Sequence, residues 1–183
     1  MKKLLAAAVL AAAAGAANAD VTYALGNALL AGNQTTGVVD TLTGTCTGVT
    51  ISVDFQPDAT AQGNGSWCSD AAVIVVPPAG SGGSQWGGYN TLFGVGTVFQ
   101  GYWAYDGSGS APPGIYGDTQ PNTNAGLTGA GSWTIAFGNG WSSSTPVQYN
   151  NITITLHGVD VVPAPGAAAL LGVGGLLVAR RRR

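Results

Sequence analysis

His157 is the single histidine of the chain, so any nucleophilic triad would have to be built around it. Such a triad needs a hydroxyl or thiol, a base beside it and a carboxylate behind the base. No serine sits in a Gly-x-Ser-x-Gly elbow flanked by strand and helix patterns. His157 adjoins Gly158 and shares parity with Thr153 and Thr155, which reads as a solvent-facing or capping position. The eight acidic residues are all aspartates. Two carboxylates can cleave a glycosidic bond. Aspartates in a Gly- and Asn-rich chain, such as Asp106 before Gly107, and Asp118, belong mostly to turns. With no glutamate, no second histidine and no cation near them, little would separate an acid role from a base role. Asp106 to Ser110 offers hard oxygen ligands for calcium but lacks the spacing of a calcium loop. The expectation is a protein without catalytic residues, cofactor or metal centre, with calcium as the one cation worth weighing.

Two other residue types carry chemistry. Cys46 and Cys68 are the two cysteines, and an exported chain with one such pair is expected to bridge them. Closing that loop would contribute about 3 kcal/mol in the chain-entropy picture. Two separate buried thiols are the alternative. Trp86, Trp103 and Trp141 lie in or beside expected loops, with Tyr89, Tyr102, Tyr105 and Tyr116. Exposed, the tryptophans would stack on sugar rings; buried, they would plug the ends of the fold.

The elements that must position these residues read as strands. Val49, Ile51, Val53 and Phe55 alternate with Thr50, Ser52 and Asp54, a period of two with one buried face. Ala71 to Val76 is a short continuous apolar run, as in a strand buried on both faces, and Pro77-Pro78 ends it. Leu92 to Tyr105 is broken by Gly94, Gly96 and Gly101, which predicts two short strands or a bulged one. Asp106 to Asn124 reads as a long loop. Trp133, Ile135 and Phe137 alternate again before Gly138-Asn139-Gly140. Val147 and Tyr149 have odd parity but Ile152, Ile154 and Leu156 even, so a bulge is expected at Asn150-Asn151. No helical period runs through the body. The fold class is all-β: an antiparallel β-sandwich of jelly-roll type, flanked by an N-terminal signal helix and a short C-terminal hydrophobic helix.

Charge is segregated. The six Lys and Arg residues are Lys2, Lys3 and Arg180 to Arg183, which leaves no Lys or Arg between Val21 and Val162. The stretch from Asp20 to Val162 holds all eight aspartates, so it is strongly acidic and would repel phosphate backbones, which argues against nucleic acid as a partner. Lys2-Lys3, the apolar stretch Leu4 to Ala17 and the small-x-small triplet Ala17-Asn18-Ala19 form a signal peptide pattern, with Asp20 as the first mature residue. Residues 1–19 are thus the leader and 20–160 the β domain. The remainder, 161–183, combines a Pro motif, an apolar run and a basic end. As a helix, Gly166 to Ala179 would span about 21 Å at 1.5 Å per residue. A bilayer core is about 30 Å, so the run suits a temporary stop better than a permanent span. The arginines would hold its end at the cytoplasmic face.

Pro163-Ala164-Pro165-Gly166, the apolar Ala169 to Ala179 and the terminal Arg180, Arg181, Arg182 and Arg183 resemble a PEP-CTERM sorting signal. Ala164 stands where the namesake motif has Glu, as in the Pro-Ala-Pro subgroup. The resemblance covers about the last twenty residues. It implies an exosortase-type membrane protease as partner, transient residence in the inner membrane of a Gram-negative cell, and release to the surface or extracellular space. A looser resemblance links Trp67 to Leu156 with P-domain-like jelly rolls, through Pro77-Pro78-Ala79-Gly80-Ser81, Trp86-Gly87-Gly88-Tyr89 and Gly131-Ser132-Trp133-Thr134-Ile135. That resemblance implies a structural companion domain and transfers no active site. The functional expectation is an exported, non-catalytic surface or extracellular-matrix protein. A carbohydrate-binding module for extracellular polysaccharide comes second and a secreted hydrolase third.

Overall fold

The computed structural model describes residues 19–55, 70–78, 82–88, 92, 96–103, 115–141 and 146–162. These residues form eight strands: β1 (Val21–Leu30), β2 (Thr35–Phe55), β3 (Ala71–Val76), β4 (Ser84–Trp86), β5 (Val98–Gly101), β6 (Ile115–Pro121), β7 (Gly131–Asn139) and β8 (Val147–Val161). No α-helix occurs among the described residues. The strands make one open sheet in the order β1-β8-β2-β7-β3-β4-β5, and β6 pairs with β2 off this path. All pairings are antiparallel except β4 with β5.

The long β2 organises the sheet. Its first part, Thr35 to Leu42, pairs with β7. Its last part, from Gly48, pairs with β8 on one side and β6 on the other. Leu42 stands at the change of partner, opposite Gly131 and Val161, and is fully buried. The register between β2 and β8 shifts between Gly44 and Gly48. Two glycines make that crossing sterically possible. Gly44 (φ +117°) and Gly158 (φ +81°) adopt conformations that side chains rarely take. A Cβ on Gly158 would lie 2.5 Å from the Thr45 carbonyl oxygen, and one on Gly44 2.7 Å from the Gly158 oxygen.

The crossing lets the two limbs of the sheet share one core. Val49, Ile51 and Val53 of β2 and Ile152, Ile154 and Leu156 of β8 join Val73, Val75, Trp86, Trp133, Ile135 and Phe137 from the other limb. Each fully buried aliphatic side chain contributes about 1.5–3 kcal/mol relative to exposure. Phe137 meets Tyr149 edge to face, centroids 4.8 Å apart. The far edges also approach. Trp86 Nε1 donates to the Pro121 carbonyl (3.2 Å), and the Thr123 amide donates to Gln100 Oε1 (2.7 Å).

The alternation of Val49 to Val53 and the burial of β3 on both faces match expectation. The second face of β3 is covered in part by Leu92, whose amide donates to the buried Gln85 Oε1 (2.8 Å). The bulge in β8 falls where parity required it. Asn151 has φ +53°, and the register to β2 shifts between Ser52 and Asp54.

Other expectations are corrected. Asp106 to Asn124 is not wholly a loop, because β6 occupies Ile115–Pro121. It was hidden because only β2 pairs with it and Gly117 and Thr119 are exposed, so no apolar alternation marks it. The last strand runs to Val161, passing Gly158 in its positive-φ conformation. Trp86 is in strand β4 and not in a loop.

Candidate functional site

The outer face of the limb β1-β8-β2-β6 carries a row of hydroxyls. Thr22 stands opposite Thr155, Thr155 opposite Thr50, and Thr50 opposite Thr119. Four threonines thus line up across four strands. Such residues suit an exposed pleated face, and cross-strand pairs of this kind contribute roughly 0.2–1 kcal/mol. Thr22 and Thr155 share a hydrogen bond of 2.9 Å, and Thr50 and Thr119 one of 2.8 Å.

The adjacent row is Asp20, His157, Gly48 and Pro121. Gly48 pairs with His157 and with Pro121. It must be glycine, because a Cβ would come within 2.8 Å of the Gln120 carbonyl oxygen. The missing side chain leaves a notch of about 340 Å³ lined by Thr47, Gly48, Thr119, Gln120, Pro121 and His157. His157 reaches Thr50 with Nε2 at 2.6 Å from Oγ1, and its Nδ1 lies 2.9 Å from Asp20 Oδ2.

A carboxylate accepts, so Nδ1 of His157 carries a proton toward Asp20. In the neutral ring Nε2 then accepts from the Thr50 hydroxyl, and Thr50 accepts from Thr119. Protonating the ring reverses the far end, with Nε2–H donating to Thr50 and Thr50 donating to Thr119. The relay therefore holds an orienter, a base and a hydroxyl, which are the triad roles. A fourth part is not found in the strand that carries Thr50. Turnover needs N–H donors aimed at a developing oxyanion. Around Thr50 the strand is paired to β8 on one side and β6 on the other, so its N–H groups are spent in ladders.

A second polar cluster lies at the corner where β1 begins and β8 ends. The Ala19 amide donates to Asp160 Oδ1 at 3.0 Å. Across β1, the Tyr23 hydroxyl donates to Asp40 Oδ2 at 3.0 Å. Burial, reinforced by that hydrogen bond and by the Asp40 charge, holds the Tyr23 phenol well above its ordinary range. The Val162 amide donates to the Thr41 carbonyl (3.0 Å), so the chain enters and leaves the sheet at neighbouring points.

The residues singled out in the sequence fare differently. Trp86 (0 % exposed) and Trp103 (2 %) are core residues, which corrects their assignment as sugar-stacking side chains. The Trp103 indole donates to the Ala71 carbonyl at 2.7 Å. Trp141 is partly buried, with its amide donating to Asn139 Oδ1 (3.0 Å). Exposed aromatic surface is found instead at Phe99 (45 %) and Tyr102 (47 %), an edge-to-face pair 4.9 Å apart.

Among the described residues Cys46 has no disulfide partner, and its buried thiol donates to the Gly48 carbonyl at 3.4 Å. Burial pushes it up to about 11 against that bond. Cys68, its expected partner, lies outside the described residues, as do Asp106 to Ser110, Pro163 to Gly166 and Arg180 to Arg183. Among the described residues no three His, Cys, Asp or Glu side chains converge as a metal site would require. The Asp20–His157–Thr50–Thr119 relay was missed in the sequence because its members are far apart in the chain. The shared parity of Thr153, Thr155 and His157 was the one usable signal.

Compared with known proteins, the chain matches no family model, no curated protein and no solved structure.

Proposed function

We propose that this is an exported, non-catalytic protein of the cell surface or extracellular matrix, whose two limbs form a jelly-roll-like β-sandwich. Residues 1–19 direct export. Residues 161–183 act as a PEP-CTERM-like sorting tail, held briefly in the inner membrane and cut by an exosortase-type protease. One observation carries most weight. Ala19 and Asp160 touch, so both address segments leave the body at one corner, and the core among the described residues is built from the strands between them. A body without lysine or arginine fits cargo meant for the outside. Intact-mass measurement of the protein recovered from cell surface and medium tests this reading. A chain beginning at Asp20 and ending near Pro165 is expected, and recovery of the uncut chain from the cell interior would overturn it.

A carbohydrate-binding role for extracellular polysaccharide is the second reading. The exposed Phe99–Tyr102 pair and the notch over Gly48 favour it. Phe99→Ala and Tyr102→Ala should then each abolish retention on a neutral glycan column. Equal retention of both variants and the parent would dismiss this reading.

A further inference from the structure

Leader removal would create a charge that the rest of the body does not have. We propose that the α-ammonium freed at Asp20 is captured by the Asp160 carboxylate, and that this pair, beside His157–Asp20, latches the edge strand β1 onto β8 in the mature protein. The inference rests on export and on cleavage after Ala19.

The acceptor is already aimed at the junction. Asp160 Oδ1 takes a hydrogen bond of 3.0 Å from the Ala19 amide, the residue that cleavage would remove. Asp20 stands one residue before Val21, which opens the β1–β8 ladder opposite Leu156. It is fixed there by its Oδ2 contact with His157 Nδ1 at 2.9 Å. The new amine is thus held one residue from the atom that now donates to Asp160. Replacing the neutral amide donor by an ammonium adds a second, opposite charge and turns the hydrogen bond to the carboxylate into an ion pair.

The surroundings make the capture selective. The body from Val21 to Val162 has no lysine or arginine, so no other fixed cation competes for Asp160. The titratable groups at this corner are Asp20 just before β1 and His157 and Asp160 of β8, while the Tyr23–Asp40 pair lies on the core-facing side, Asp40 opposite the buried Trp133. Two carboxylates therefore flank the new amine. An α-amine whose charged form is stabilised when folded titrates above its unfolded value. Its contribution is present below that unfolded value, about 8, and is lost as pH rises through the folded one.

The absence of lysine from the mature body allows a direct test. Reductive methylation of the mature chain with ¹³C-formaldehyde would label one amine, whose NMR shift is followed from pH 6 to 11. The expected result is one labelled site that titrates at least ~0.5 pH unit higher in the folded chain than in the same chain unfolded in urea. Asp160→Asn should erase most of that difference. Should that variant not fold, 1 M salt on the parent chain should shrink the difference instead. Equal folded and unfolded values in a chain beginning at Asp20 would overturn the latch and leave export untouched. Three labelled amines, from Met1, Lys2 and Lys3, would show a retained leader and overturn both.

Discussion

Replacing Gly158 by alanine should be among the most damaging small changes in this protein, and a second glycine provides its control. Gly158 has φ +81° and Gly26 has φ +76°, so alanine pays a similar left-handed backbone penalty at either position, about 1–2 kcal/mol. Their surroundings differ. Nothing lies within 4 Å of a Cβ at Gly26. At Gly158 the Cβ would stand 2.5 Å from the Thr45 carbonyl oxygen and 3.1 Å from Thr47 Cγ2. Forcing these groups apart costs a further amount typical of overpacking, about 1–3 kcal/mol. Gly158→Ala should therefore lose about 2–5 kcal/mol and Gly26→Ala about 1–2 kcal/mol. Urea unfolding followed by tryptophan fluorescence measures both, with unchanged slopes certifying that the native state is being compared. Losses within about 0.5 kcal/mol of each other, inside the range of ordinary surface changes, would refute the claim that β2 changes limbs through a close backbone approach at Gly158.

Three other outcomes are expected. Folded Tyr23 keeps its proton where the unfolded chain gives its up, near pH 10, so stability should fall above that pH; melting at pH 9 and 11 should show a smaller fall for Tyr23→Phe than for the parent. Trp103→Phe strands the Ala71 carbonyl and should cost about 1–3 kcal/mol, beyond the loss from Trp133→Phe. The Trp133 Nε1 has no hydrogen-bond partner among the described residues, and denaturant midpoints would compare the two. Cys46, as a buried thiol, is held protonated by burial up to about 11. Iodoacetamide at pH 8 should therefore modify it at least ~100-fold more slowly in the native protein than in urea, because only the thiolate attacks, and comparable rates would refute the burial.

What could be read in advance depended on how each strand is buried. Val49 to Val53 declares itself because one face is sealed and the other only half-covered, and Trp133 to Phe137 because large apolar side chains alternate with Thr134 and the small Ala136. Ala71 to Val76 does so because both faces are covered. The parity break across Asn150-Asn151 was enough to locate a bulge to the residue. In contrast, β1 and the start of β2 alternate weakly, since each is paired along one side for most of its length and Val39 and Leu29 are exposed. β6 carries no apolar signal because its outward residues belong to the hydroxyl row. The tryptophans misled for a related reason. Gly87 and Gly88 beside Trp86 suggested a loop, but these glycines serve close packing: a Cβ on Gly88 would sit 3.0 Å from the Ala72 side chain and 3.3 Å from the Gly140 Cα. The Asp20–His157–Thr50–Thr119 relay joins residues that meet through strand register, which no local pattern encodes.

The place of β8 between β1 and β2 bears on how the chain folds. Val21 finds its partner at Leu156, and Ile51 at Ile154. Neither the first strand nor the second half of the longest one can complete its ladder until the final fifteen-residue strand arrives. Pairings this distant in sequence make for high contact order and slow closure. A chain emerging from the ribosome could pair β3 with β4 and β7 early, but could not close the limb around β8 until Val161 had been made.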